Sequence, residues 1–327
     1  MNRSGEALAD PVFPSVPARR GHYESYYLRA AAPDRPAAVW IRYTVHKRPG
    51  SAPKGSLWCT VWDGDGPRAV KETLPVPRAS ADEGWIRIGD STLGPGRSAG
   101  RAAAVNRVAS WELDYDGNAG AVQHLPLRWL YGAPLPRTKT VSLISDARFS
   151  GGVDFDSAVT DLREWRGMVG HNWGSEHAER WIWLHGVDFA DAPDTWLDCV
   201  LGRIRVGGRL TPWIANGVLS LNGQRVRVGG VAGARGSVVR ESATRAEVSV
   251  PSALGNIEIN VSSPAGQTVA WVYADPRGGE HHSLHCSIAA MEIRLGSRVL
   301  SSDHGGCYEL GVRETDHGVP VQPFPDG

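Results

Sequence analysis

Side-chain character alternates with a period of two along most of this chain, and that rhythm limits the fold more than any other feature. It runs through "WIRYTV" (40–45), "LWCTVW" (57–62), "GWIRIG" (84–89), "SWELDY" (110–115) and "RWIWLHG" (180–186). It returns in "RIRVGG" (203–208), "QRVRVGG" (224–230), "AEVSV" (246–250), "IEINV" (257–261), "AWVY" (270–273) and "MEIRL" (291–295). Short runs of this kind, rich in β-branched and aromatic residues, are half-buried strands. "DGDG" (63–66), "DGNAG" (116–120), "LNGQ" (221–224) and "LGN" (254–256) punctuate them with hairpin turn chemistry. The expected class is all-β with antiparallel pairing, not alternating βαβ units. Only "DSAVTDLREW" (156–165) has a faint helical pattern, and a polar strand edge fits it equally well.

About ten candidate strands precede residue 190 and about nine follow it, whereas roughly eight strands close a barrel large enough for one ligand. A chain of 327 residues is therefore expected to form two barrels in tandem, over 1–190 and 191–327. The dividing point is set on the turn-rich "HGVDFADAPD" (185–194), with a window of about fifteen residues either way. "GDSTLGPGRSAGRAAAVNR" (89–107) reads as a Gly/Ala/Ser-rich loop, and the Pro-rich ends as extended surface segments.

Lys+Arg and Asp+Glu both number 35, a balance that argues against a nucleic-acid partner and for a small neutral one. No apolar run is long enough for a transmembrane segment and the N-terminus has no secretory h-region, so a cytoplasmic location is expected. Cys59, Cys199, Cys286 and Cys307 are widely spaced and read as reduced, buried thiols. Thirteen Trp against five Phe is the compositional outlier; the indoles either fill cores or wall one ligand cavity.

No GxSxG elbow, phosphate-binding GxxxxGK[ST] or HExxH zinc helix is present. "HHSLHC" (281–286) offers His281, His282, His285 and Cys286, but alternation splits them between two faces, so they read as strand or loop histidines and no metal site is assigned. "RGMVGHNWGSEHAERWIWLHG" (166–186) is denser in chemistry. A strand over 170–174 puts His171 and Trp173 on one face and Asn172 on the other, and Trp181, Trp183 and His185 share a face of the next strand. Joined through the turn "GSEHAE" (174–179), the two would make one aromatic and imidazole patch, with Trp196 and Asp198 of "TWLDC" (195–199) nearby. A carboxyl among indoles tends to keep its proton and can donate it, while indole faces stabilise a cation. The alternative is that His171 and Asp198 merely satisfy hydrogen bonds inside a β core.

"ESYYLRAAAPDRPAAVWIRYT" (24–44), "WRGMVGHNWGSEHAERWIWLHG" (165–186) and "HCSIAAMEI" (285–293) resemble the AttH-like, carotenoid 1,2-hydratase (hydroxyneurosporene synthase) superfamily. The resemblance spans roughly residues 20–315, with "GHNWG" its most specific block. It implies two lipocalin-like barrels and a hydrophobic small-molecule substrate, with neither an organic cofactor nor a metal. The implied chemistry is hydration of a terpenoid double bond, or cyclisation or isomerisation of a terpenoid or polyketide. His171-Asn172-Trp173 matches the family's His-x-Trp, and Trp196-Leu197-Asp198 its aromatic-x-Asp, with Trp where the hydratases carry Tyr. On that match Asp198 protonates the alkene, His171 assists, and Trp173, Trp196, Trp181, Trp183, His185 and Asn172 contact substrate. A non-catalytic lipocalin-like carrier of a hydrophobic molecule is the competing expectation.

Overall fold

The structure, a computed structural model, describes residues 8–75, 77–78, 84–117 and 119–324. Its elements are strands throughout, apart from three 3-10 turns at Phe13–Ser15, Arg128–Tyr131 and Ala234–Gly236. Among the described residues no helix is long and apolar enough to cross a membrane.

The N-terminal half is a twelve-stranded antiparallel sheet. At its centre lie His22–Ala31 and Ala38–Lys47, flanked by Lys54–Trp62 on one side and by the long hairpin Thr138–Phe155/Ala158–Gly174 on the other. The sheet curls around a core that includes Tyr26, Leu28, Ile41, Tyr43, Trp111, Phe149 and Val169. The Glu72 carboxylate, on strand Pro67–Leu74, accepts the Ala103 backbone N–H at 2.7 Å and draws that edge against Arg97–Ala104.

The C-terminal half closes into an eight-stranded ring. Its order runs Gln224–Gly229, Ile214–Leu221, Trp196–Arg203, Arg180–Gly186, Arg298–Val312, Glu280–Leu295, Gly255–Ser262 and Arg245–Ser252. The Val228–Ser252 pairing returns the last strand to the first. Ile182, Leu184, Leu197, Cys199, Leu219, Ile257 and Leu310 fill this interior. All four cysteines are free and buried.

The two halves meet broad face to broad face, and this explains the tryptophans. His22–Ala31 and Ala38–Lys47 are buried at every position, so both faces of these strands are covered. One face lines the N-terminal core; the other meets the second barrel through Trp40, Trp58 and Trp62. Trp58 lies 4.9 Å from Trp271, while Trp40 and Trp62 lie 5.1 and 5.5 Å from His285 (ring centroids). Indoles thus cement the seam between the two halves, each contributing a large area of buried apolar surface. Arg29, fully buried, crosses the same seam to the Ser287 and Gly305 carbonyls at 2.6 and 2.9 Å.

Three expectations change. Residues 89–107 are not a loop, because Ser91–Gly94 and Arg97–Ala104 are paired strands. Small residues there suit a strand crossed by large rings: a Cβ on Gly100 would fall 2.6 Å from the Trp111 indole. "DSAVTDLREW" is a hairpin turn at Asp156 and Ser157, both at positive φ, followed by strand. Finally, "GSEHAE" does not join a hairpin. Ala158–Gly174 belongs to the first sheet and Arg180–Gly186 to the second, so sheet membership changes between Gly174 and Arg180.

Candidate functional site

A cavity of about 240 Å3 opens in the seam between the two halves. From the first sheet it is lined by Tyr27, Trp40, Arg42, Thr138, Thr140 and Asn172, and from the second by Trp181, Trp183, Val200, Ile214, Asn216 and Glu309. His124, Leu125 and Pro126, which follow the short strand Val122–Gln123, cover one side, and His177 and Tyr273 sit at another. Alternation accounts for the membership: Tyr27, Arg42 and Asn172 occupy the outer face of strands whose intervening residues enter the N-terminal core.

The ionisable groups of the cavity are few, and each is held. Glu309 accepts the Trp181 indole N–H at 2.8 Å and pairs with His285 Nδ1 at 3.0 Å. Burial opposes its charge, but His285 and Trp181 together hold the carboxyl below its ordinary range, so it is ionised. Arg42 donates to Ser25 Oγ at 2.9 Å and lies 4.0 Å over the Tyr273 ring. His124 donates its Nδ1–H to the Asn216 carbonyl at 3.1 Å, which turns Nε2 toward Ser142 Oγ at 3.0 Å and Asp198 Oδ1 at 3.5 Å. Burial raises the Tyr27 hydroxyl well above its ordinary range, and the charges of Asp198 and Glu309 add to this.

Of the residues expected from sequence, Trp181, Trp183 and Asn172 line this cavity. His171 and Trp173 do not. They share a face, as alternation requires, but it is the face turned into the first sheet. His171 stacks on Tyr26 at 4.0 Å and on Trp173 at 4.4 Å, with its ring nitrogens 2.7 Å from the Leu8 carbonyl and 2.8 Å from Glu24. Asn172, on the opposite face, is the member of the motif that reaches the cavity. Trp196 is also elsewhere, packed with Val122, Val187 and Val218 beneath Arg225. His185 accepts from Arg29 at Nδ1 (2.9 Å) and donates from Nε2 to the Ser145 carbonyl (3.0 Å). Burial and Arg29 push it down to about 4, so it is a neutral bridge between the barrels.

Asp198 is fully buried one layer behind the cavity wall, directly across the strand pair from His185. Ser145 donates to it at 2.9 Å and the Trp183 indole N–H at 3.4 Å. Burial alone would raise this carboxyl, as the sequence led one to expect. The attraction and hydrogen bond of His124, with His185 and Ser142, outweigh burial and hold it far below the ordinary range. Asp198 is therefore a carboxylate, not a stored acid, and it touches the cavity only through its donors.

Arg42, Glu309, His124 and Tyr27 were not anticipated. Arg42 and Glu309 carried a usable signal, since a lone charge within a strand whose neighbours are all apolar is rarely buried without a purpose. His124 carried none, because it reaches the site from a loop.

Comparisons with known proteins bear on the fold. No protein-family model matches the chain. Two uncharacterized proteins of Mycobacterium tuberculosis, from strains CDC 1551 / Oshkosh and H37Rv, are 24% identical over 310 residues, covering 90% of this chain and 88% of theirs. Kievitone hydratase from Nectria haematococca superposes with a TM-score of 0.56 at 10% identity, over 95% of this chain and 93% of that one. CghA gives 0.56 at 12% identity, over 90% and 89%. A protein described as AttH from Nitrosomonas europaea gives 0.50 at 12% identity, over 93% and 98%. Such likeness at low identity is a likeness of architecture: the chain shares the tandem, lipocalin-like barrel fold of these three structures.

Proposed function

We propose that the chain is an acid–base enzyme of the hydratase or cyclase/isomerase type, acting on a compact hydrophobic molecule that carries a C=C bond. One observation carries this reading: a cavity walled by indoles, entered by His124 from one side and by an ionised Glu309 from another. Shared architecture with a kievitone hydratase supports a water-adding or water-removing reaction. The volume of about 240 Å3 lies below the roughly 300–1,000 Å3 usual for drug-sized ligands, which favours a compact terpenoid, phenolic or polyketide unit over a long polyene.

In the proposed step a doubly protonated His124 turns its Nε2–H from Ser142 and Asp198 toward the cavity and gives that proton to one alkene carbon; the π pair becomes the new C–H bond and the ring is left in its neutral Nδ1–H form. Positive charge on the other carbon faces the Trp181 and Trp183 rings, where cation–π attraction stabilises it. Water adds to that carbon and its surplus proton passes to Glu309; a weak base suffices, because a protonated alcohol is a strong acid. An internal nucleophile in place of water gives cyclisation. Asp198 is a positioning residue here, orienting His124 and compensating any charge on it. None of these steps passes through a metal or an organic cofactor.

The test is incubation of the protein in D2O with a panel of prenylated phenols, terpenoids and polyketide alkenes, read by mass spectrometry. Gain of one water, or deuterium on carbon, lost in His124→Gln, supports the proposal. Tight binding, seen as quenching of Trp fluorescence, without product from any ligand bound would overturn it in favour of a carrier.

A further inference from the structure

A second cluster adjoins the cavity and takes no part in the chemistry above. His177 lies in the crossing between the barrels, Asp275 in the turn after strand Val269–Ala274, and His281 at the start of strand Glu280–Leu295. One ligand atom from each lies within 4.8 Å of the others. Asp275 Oδ1 accepts both the backbone N–H and the Nδ1–H of His177, each at 2.8 Å, and Oδ2 stands 3.6 Å from His281 Nδ1. That leaves three buried nitrogens without a hydrogen-bond partner: His177 Nε2 and both ring nitrogens of His281. Buried polar groups are almost always partnered, so an imidazole with neither nitrogen bonded, its Nδ1 3.6 Å from a carboxylate oxygen, implies a missing partner.

We propose that His177, Asp275 and His281 bind a first-row divalent transition-metal ion such as Zn2+. Two imidazoles and one carboxylate are a donor set for Zn2+, Co2+ or Fe2+ rather than for Mg2+ or Ca2+, which prefer oxygen alone. The ion would take the place of the proton that His177 Nδ1 shares with Asp275, so His177 binds through Nδ1, beside the carboxylate, and carries its proton on Nε2. Arg313 competes for the carboxylate, its Nη2 lying 3.6 Å from Oδ2. It has other anions to hold it, Glu179 at 3.1 Å and Glu176 at 3.9 Å. Three protein ligands leave room for water or substrate on the ion, and His177 lines the cavity. "HHSLHC" thus supplies one ligand and the hairpin turn just before it another, while His177 comes from a segment that sequence places far away. The site stands or falls independently of the acid–base reading.

The experiment is titration of the chelator-treated, full-length protein with Co2+, followed by displacement with Zn2+. One equivalent should develop the visible d–d bands of a low-symmetry Co2+ site, and Zn2+ should bleach them. His281→Ala and Asp275→Asn, with circular dichroism as the check on folding, should each weaken binding by about 100-fold or more. Folded variants that bind as tightly as wild type overturn the site. Should both variants unfold, the wild-type titration decides alone: d–d bands at one equivalent support the site, and their absence overturns it.

Discussion

Glu24→Gln is the substitution that best separates a structural role for the "GHNWG" histidine from a catalytic one. Glu24 is fully buried, yet its carboxylate collects donors: the backbone N–H groups of Val12 and Phe13 at 2.8 and 2.6 Å, His22 at 3.0 Å and His171 at 2.8 Å. Burial works against the charge, but these contacts prevail and carry the carboxyl from its ordinary 4.5 down to about 2. At 1.36 kcal/mol for each unit, that depression corresponds to about 3 kcal/mol of folding free energy. The sign follows from the depressed value. The stabilisation is complete above the unfolded carboxyl's value near 4.5 and is lost as pH falls through the folded value near 2. Gln removes the charge and turns an amide N–H₂ toward donors, so the variant should lose about 3 kcal/mol near pH 7. Urea unfolding of both proteins measures this, and their difference should shrink as the pH is lowered from about 4.5 toward 2. A loss below about 1 kcal/mol, or one that does not change with pH over that window, would refute the reasoning. Because His171 and Glu24 face the N-terminal core, a folded Glu24→Gln should retain whatever turnover the wild type has.

Asp198→Asn should lower kcat by about 100-fold with little change in KM, since the residue acts through His124 and touches no substrate; steady-state kinetics on the folded variant decide it. Gly170→Ala should weaken ligand binding by about tenfold or more in a fluorescence titration, because the new Cβ would stand 2.4 Å from the Tyr27 ring and drive it into the cavity. The four thiols should resist an aromatic disulfide reagent until denaturant is added, since all are buried and burial pushes Cys59 up to about 12. Fast labelling of the native protein would contradict this.

Much of the architecture was legible in the chain. The two-residue alternation and the hairpin turns specify antiparallel strands, and the number of strands asks for more than one barrel. Residues 89–107 misled because small side chains carry little strand signal, although their smallness is what lets Trp111 cross them. The site was legible in part. Trp181, Trp183 and Asn172 are in the cavity, whereas His171, Trp173, Trp196 and His185 serve the barrels and the seam, and Asp198 lies behind the wall, against His124.

Sequence alone determined that His171 and Asn172 point opposite ways, because a strand permits nothing else. Which of them meets the cavity was decided only in three dimensions. A strand packed between two barrels is buried on both faces, so hydrophobic pattern cannot distinguish core from seam. The same holds for charge. That Asp198 shares its strand face with Trp196 is written in the chain, but its ionisation is set by His124, His185, Ser142 and Ser145, which tertiary packing brings to it from other segments.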